Sequence, residues 1–236
     1  MTPPFRVLEV DPRRPDQSGE ALDRAAQALA SGELVVVPTE TVYGLAARPD
    51  LPGATARVFA AKRRPGELTL PVLAADQDGA WAIARPEAAA RRLAGAFWPG
   101  PLTMVLPRTE RSQPWHLGEQ AGSIGVRVPD HAITQGLLEL AGPLAATSAN
   151  VSGRPPIGDP EAIIACFGAA VAVYLVLPRG APPPAGSPST VVELTGGGIR
   201  VLRPGAVDGA ALRRALSGGT AGPATRPGGP ARPRNG

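Results

Sequence analysis

The chain has 236 residues with 43% hydrophobic and 4% aromatic content, so it can bury one sizeable core built mainly of Leu, Val, Ile and Ala. It carries 24 Lys and Arg against 20 Asp and Glu, but three of the arginines (Arg226, Arg232, Arg234) fall in the last 20 residues, leaving a near-neutral body of 21 basic and 20 acidic groups. That balance excludes a strongly basic nucleic-acid domain. One cysteine excludes an internal disulfide framework, and no run approaches the length of a membrane span.

The N-terminal stretch MTPPFRVLEVDPRRP lacks the continuous apolar segment of a secretory signal. Residues 18–31 predict a helix, with Ser18 as its cap and Leu22, Ala25, Ala26 and Leu29 at helical spacing. Ser31-Gly32 ends it. Glu33-Leu34-Val35-Val36-Val37 predicts a buried strand that stops at Pro38. Thr39-Glu40-Thr41-Val42-Tyr43-Gly44 then places hydroxyls at a strand's carboxyl end, where open α/β sheets hold ligands.

Residues 52–62 predict a helix running into Lys62-Arg63-Arg64-Pro65. Lys62 is the only lysine in the chain. An ammonium is a point charge and a guanidinium a planar fork, so Lys62 and Arg64 together suit a polyphosphate. Basic residues at a helix C-terminus also complement its dipole, which accounts for the charge but not for the single lysine.

Residues 70–73 predict a short strand, placed at a sheet edge by Pro71. A helix over 86–96, a rigid turn at Phe97-Trp98-Pro99-Gly100-Pro101 and a strand over 102–106 follow. Residues 108–121 predict a polar, mobile loop. Residues 123–129 alternate: Ile124, Val126 and Val128 on one face, Ser123, Gly125 and Arg127 on the other. An arginine beside a glycine on a strand face is either a carboxylate or phosphate clamp or an exposed charge. His131 opens a helix over 131–141; neither it nor His116 has a partner visible in the sequence.

Residues 143–147 predict a strand leading into Ser148-Ala149-Asn150-Val151-Ser152-Gly153, a second strand end rich in hydroxyl and amide groups. Helix 159–168 carries Cys166, which its apolar surroundings predict to be a buried structural thiol. Strand 171–177, a Pro- and Gly-rich loop over 178–188, a hairpin of 189–194 and 199–203 around Gly196-Gly197-Gly198, and a helix over 208–216 complete the body. Residues 217–236 predict a disordered tail. Alternating elements closed by a hairpin predict one α/β domain with a mixed sheet. The sequence lacks a phosphate-binding loop of the GxxxxGK[ST] type, GxGxxG and any metal-ligand cluster.

Seven stretches, PTETVYGL (38–45), AKRRP (61–65), FWPGPLT (97–103), IGVRVPDH (124–131), TSANVSG (147–153), STVVELTG (189–196) and VLRPG (201–205), resemble the YrdC-like family of L-threonylcarbamoyladenylate synthases in order and spacing. The resemblance covers roughly residues 18–216 and implies a YrdC-like twisted mixed α/β sheet, with helices packed on it and an open basic cavity. It also implies a reaction. L-threonine, bicarbonate or CO2 and ATP, with Mg2+, give threonylcarbamoyl-AMP and pyrophosphate, for the t6A37 modification of tRNA in the cytoplasm.

By the same resemblance, Thr41, Tyr43, Arg127, Ser148 and Ser189 would bind L-threonine. Lys62, Arg64, Ser123, Asn150 and Arg203 would bind ATP, with Lys62 and Arg64 acting on the phosphates. Many members continue after Lys-x-Arg-Pro with two residues, Asn-Pro-Leu and then a His; here Leu68-Thr69-Leu70 and Leu73 stand in those places. Pro156-Ile157-Gly158 stands where Ser-Pro-Thr is frequent. Two other readings stay open: a non-catalytic nucleotide or double-stranded RNA-binding module, and a carbamoyl-transfer relative whose acceptor changed with segment 66–73.

Overall fold

The computed structural model describes residues 5–63, 66, 68–120, 122–195 and 198–217. Among them, ten strands form one sheet: β1 (Arg6–Glu9), β2 (Val35–Val37), β3 (Gly44–Ala47), β4 (Val72–Leu73), β5 (Leu102–Pro107), β6 (Ser123–Arg127), β7 (Leu144–Ser148), β8 (Val173–Val176), β9 (Thr190–Thr195) and β10 (Gly198–Arg203). Their order across the sheet is β1-β8-β2-β3-β7-β4-β6-β5-β9-β10. Four neighbouring pairs run parallel and five antiparallel, so the sheet is mixed, as the alternation of elements predicts. Seven helices pack on it: α1 (Gly19–Ala30), α2 (Ala54–Lys62), α3 (Gln77–Ile83), α4 (Ala88–Phe97), α5 (Ala132–Ala141), α6 (Pro160–Phe167) and α7 (Gly209–Leu216).

The alternation of the strands divides their side chains between two cores. Val36, Leu45, Val72, Leu102, Met104, Ile124, Val126 and Val192 point to one face and meet α2, α3, α4, α6 and α7 through residues such as Val58, Ile83, Leu93, Phe167 and Leu212. Val35, Val37, Ala46, Leu73 and Leu144 point to the other face and meet only α1 and α5, through Leu22, Leu29, Ile133 and Leu137. Gly136 lets these two helices approach, since a Cβ there would lie 3.2 Å from Leu22 Cδ1. The second core stops at β4. Among the described residues no helix covers the same face of β6, β5, β9 and β10, and there the cavity opens.

Three helices begin on an aspartate. Asp76, Asp159 and Asp208 accept from the backbone N–H groups of Gly79, Ala162 and Ala211 at 2.7, 3.3 and 2.7 Å. Such caps stabilise by about 1 kcal/mol each. The Asp76 cap marks α3, whereas Arg6-Val7-Leu8-Glu9 of β1 shows no period-two alternation; the sequence reading left both elements out. Ser18 makes no side-chain cap to α1, because a single 3-10 turn over 15–18 already leads into the helix and buries it. Gly32 does take the left-handed conformation, at φ +75°.

Two further expectations are corrected. Pro71 does not mark an edge, since β4 lies between β6 and β7. Proline is tolerated there because it precedes the paired residues and uses only its carbonyl, which accepts from Ala146 N at 2.9 Å. Cys166 is exposed, because Ile163 and Phe167 take the inward face of α6 and leave it turned outward. Residues 108–120 form a loop held from beneath by Arg108, which is only 5% exposed. Its guanidinium donates to the carbonyls of Ser123, Ser112, Trp115 and Gln120 at 2.9, 3.1, 2.8 and 3.1 Å. The predicted tail lies outside the described residues from 218 on, and so do Gly196 and Gly197 of the predicted hairpin turn.

Candidate functional site

The uncovered face of the sheet forms a cavity of about 410 Å3. Its floor is the polar side of the alternating strands: Thr103 and Val105 from β5, Ser123, Gly125 and Arg127 from β6, Val191 and Glu193 from β9. A Cβ on Gly125 would sit 3.3 Å from Pro71 Cβ and 3.4 Å from Thr103 Cγ2, so the glycine keeps the floor low. One wall is the 39–44 turn together with Thr147 and Ser148. The opposite wall is Ser189 with Arg200, Leu202 and Arg203 of β10.

The 39–42 turn is built by one hydroxyl. Thr39 Oγ1 donates to Val42 O at 2.6 Å and accepts from the N–H groups of Thr41 and Val42 at 3.3 and 3.2 Å. Its proton is thereby committed, so in the 2.9 Å contact between the two hydroxyls Thr41 is the donor. Thr41 Oγ1 in turn accepts from Arg127 Nη2 at 3.0 Å. Thr41 thus meets a ligand as an acceptor.

Arg127 is held from behind. Nε donates to Gly100 O at 3.1 Å, a carbonyl presented by the 97–101 turn, and Nη2 lies 2.7 Å from Glu40 Oε1. Its Nη1 has no hydrogen-bond partner among the described residues and is the edge left for a ligand. Beside Glu40, His131 is half-buried, with Nδ1 itself buried and unpartnered among the described residues; burial pushes its imidazole below the usual range, and the Glu40 charge opposes this.

Across the cavity, Arg203 donates through Nη2 to Ser189 O at 2.8 Å and to Ser189 Oγ at 3.1 Å. Ser189 Oγ also shares a hydrogen bond of 2.9 Å with Thr103 Oγ1. Burial pushes the Arg203 guanidinium below its usual range, and the charge of Arg127 adds to the effect, so the two cations face a common space. At the rim, Arg200 is paired with Glu193 at 2.5 Å.

The structure brings Thr41, Ser123, Arg127, Ser148, Ser189 and Arg203 together on this cavity, although they are far apart in sequence. It places three others differently. Lys62 is 1% exposed and sits at the end of α2 behind the 148–150 turn. Its ammonium donates to Ser148 O, to Asn150 O at 2.5 Å and to Asn150 Oδ1 at 3.5 Å. Asn150 faces inward too, its amide donating to Val151 O at 3.0 Å and to Arg154 O. Both residues hold the turn that carries Ser148.

Tyr43 does not wall the cavity. Strand alternation turns it away from Val42 and Gly44 into the core, where its hydroxyl accepts from Leu177 N at 3.0 Å and burial raises its pKa. Arg64 lies outside the described residues. The sequence reading gave no role to Glu40, Thr103, Gln120, Glu193 or Arg200. The alternation of β5 would have exposed Thr103; the pairing of Glu40 with Arg127 spans 87 positions and has no local signal.

Two guanidiniums and a set of hydroxyls facing one cavity on the sheet of an α/β protein make a site whose chemistry suits small anionic ligands. A profile of the Sua5/YciO/YrdC family, described as "Telomere recombination", matches residues 27–205, and the chain belongs to this family. It is 39% identical over 199 residues to a putative threonylcarbamoyl-AMP synthase of Mycobacterium tuberculosis, covering 82% of this chain and 88% of that one. The structure of Pyrococcus abyssi Sua5 complexed with L-threonine aligns with a TM-score of 0.76 and 31% identity, over 89% of this chain. The chain spans 61% of that protein's length. Escherichia coli YciO aligns with a TM-score of 0.73 and 25% identity, over 86% of this chain and 96% of its own.

Proposed function

We propose that this chain is a threonylcarbamoyl-AMP synthase, using ATP, L-threonine and bicarbonate and releasing pyrophosphate. The observation that carries the reading is the cavity with Arg127 and Thr41 at one end and Arg203 and Ser189 at the other. A synthase of this kind must hold two anionic substrates side by side. The names of the relatives and the L-threonine in the related Sua5 structure support L-threonine and ATP as substrates.

In this reading the carboxylate of L-threonine pairs with the unengaged edge of Arg127. Thr41 accepts from the amino acid, and Ser148 closes that end. The triphosphate lies toward Arg203 and Ser189; Lys62 acts from behind by holding the turn that carries Ser148, and Arg64 is proposed as a further phosphate ligand. Bicarbonate supplies the carbon of the threonine carbamate. A carbamate oxygen attacks the α-phosphorus, the bond from that phosphorus to the bridging oxygen of pyrophosphate breaks, and pyrophosphate leaves. The protein contributes position and charge, which carry most of the catalysis in phosphoryl transfer.

Mg2+ is proposed to arrive with ATP. The described residues contain no group of three or more His, Cys, Asp or Glu suited to a cage, and the carboxylate on the cavity floor, Glu193, is tied to Arg200. Phosphate oxygens and water fit as its principal ligands. The product would serve t6A modification of tRNA, which also makes the cytoplasm the proposed location. No helix among the described residues is long and apolar enough to cross a membrane.

The test is pyrophosphate release from ATP by the purified chain, with and without bicarbonate, given L-threonine, L-serine or no amino acid. Release that needs bicarbonate and prefers threonine is expected. ATP binding without threonine-dependent release would refute the reading and point to the divergent segment 66–73.

A further inference from the structure

Three arginines line the cavity among the described residues, and they differ in how their charge is met. Arg200 is paired with Glu193 at the rim. Arg203 is bound only to the carbonyl and hydroxyl of Ser189, with no carboxylate near it among the described residues. Arg127 is paired with Glu40 at 2.7 Å. Both carboxylate oxygens of Glu40 are buried, and neither accepts a hydrogen bond among the described residues. A carboxylate is costly to bury without hydrogen bonds, and charge is what remains to hold it there. Its neighbours are the Arg127 guanidinium and the His131 ring.

The two ends of the cavity therefore offer different things to an anion. The Arg203 end presents a full positive charge. The Arg127 end presents a guanidinium edge with correct hydrogen-bond geometry but little net charge. A polyphosphate with several negative charges gains far more at the first end. An amino-acid carboxylate with one charge is satisfied by the second. Unfavourable charge placement against a wrong partner is a common source of selectivity.

We infer that Glu40 is a specificity-determining residue: by offsetting Arg127 from behind, it keeps polyphosphate out of the amino-acid end of the cavity and fixes which anion occupies which end. This rests on the synthase reading. Glu40 touches no substrate and acts through Arg127.

Calorimetric titration of the full chain with inorganic tripolyphosphate and with L-threonine tests it without turnover. In the wild type, tripolyphosphate is expected to leave threonine affinity within about twofold. In Glu40→Gln, saturating tripolyphosphate should weaken threonine binding about tenfold, because both ends now attract polyanion. Glu40→Asp, which keeps the charge, should restore the wild-type pattern; a scaffold role for the side chain would not separate the two variants in this way.

Threonine binding in Glu40→Gln that ignores tripolyphosphate would overturn the inference, and so would an Asp variant that behaves like Gln. If Glu40→Gln does not fold, Arg203→Gln decides. Tripolyphosphate affinity should then fall about tenfold without new competition against threonine, and competition appearing there would refute the role of Glu40. A wild-type chain with no affinity for L-threonine would instead refute the synthase reading, and this inference with it.

Discussion

Replacing Lys62 by Met removes an ammonium and leaves a side chain of similar length. In the folded protein that ammonium, 1% exposed, donates to Ser148 O and, at 2.5 Å, to Asn150 O. Charged hydrogen bonds contribute about 1.5–3 kcal/mol each, and the substitution also relieves the cost of burying the charge. A net loss of about 3 kcal/mol follows. For a chain of this size, that lowers the melting temperature by roughly 6–12 °C. In urea the midpoint should fall at constant slope, since the folded surface is unchanged. The same ammonium holds the turn that carries Ser148, so kcat/KM for L-threonine should fall by about 10-fold in excess of any unfolding. Lys62→Arg separates charge from shape. Two carbonyls converge on one nitrogen here, and a fork presents two, so Arg should lose stability and activity as well. A Lys62→Arg variant with wild-type melting and turnover would refute the argument that this position requires a point charge.

Arg127→Ala should raise the KM for L-threonine about 10- to 100-fold and change the KM for ATP much less, the signature of one charged contact of roughly 1.5–3 kcal/mol; equal effects on both substrates would count against the assignment. Arg108→Leu strips four backbone carbonyls of their donor. A loss of roughly 4 kcal/mol is expected, read as a melting point about 10 °C lower, with protease cleavage within 108–120 appearing first. For His131, the folded pKa lies below the ordinary value of 6.5. Between the two values the unfolded chain binds more protons, so this contribution to stability is complete above pH 6.5 and is lost as the pH falls toward the folded value. The stability of the wild type should therefore drop relative to His131→Gln between pH 7.5 and 5.5, whereas parallel curves would show that the ring titrates normally.

How much of this was legible depends on the reach of each interaction. The floor of the site could be read from residues 123–129, because strand alternation is a local rule and β6 obeys it: Ile124 and Val126 in the core, Ser123, Gly125 and Arg127 in the cavity. The same rule, applied to Tyr43 between Val42 and Gly44, turns that ring away from the cavity. Pro71 read as an edge signal because proline lacks a donor, yet β4 is so short that the missing N–H falls just before the ladder. Composition reads 108–120 only as a polar loop, since nothing nearby in sequence says that Arg108 will gather four carbonyls. Lys62 stood out as the only lysine, and its partners, 86 and 88 positions away, belong to a turn read separately as a ligand site. Long-range polar pairing is invisible to periodicity, and most of what shapes this site is of that kind.

The near-neutral charge of the body and the anionic character of the proposed substrates are compatible because charge here is arranged locally. The second core ends at β4, so four strands keep an uncovered face, and onto that face the alternation of β6 and β9 and the irregular register of β10 send their polar residues. Two of the three arginines that line the cavity among the described residues bring a carboxylate of their own, which adds nothing to the net charge of the protein. In such a half-enclosed space an arginine that lacks a carboxylate acts more strongly than it would in water, since less solvent screens it. Such a cavity selects for a small anion that fits inside, and it offers little to a long RNA backbone, whose binding grows with the number of phosphates neutralised on an open surface.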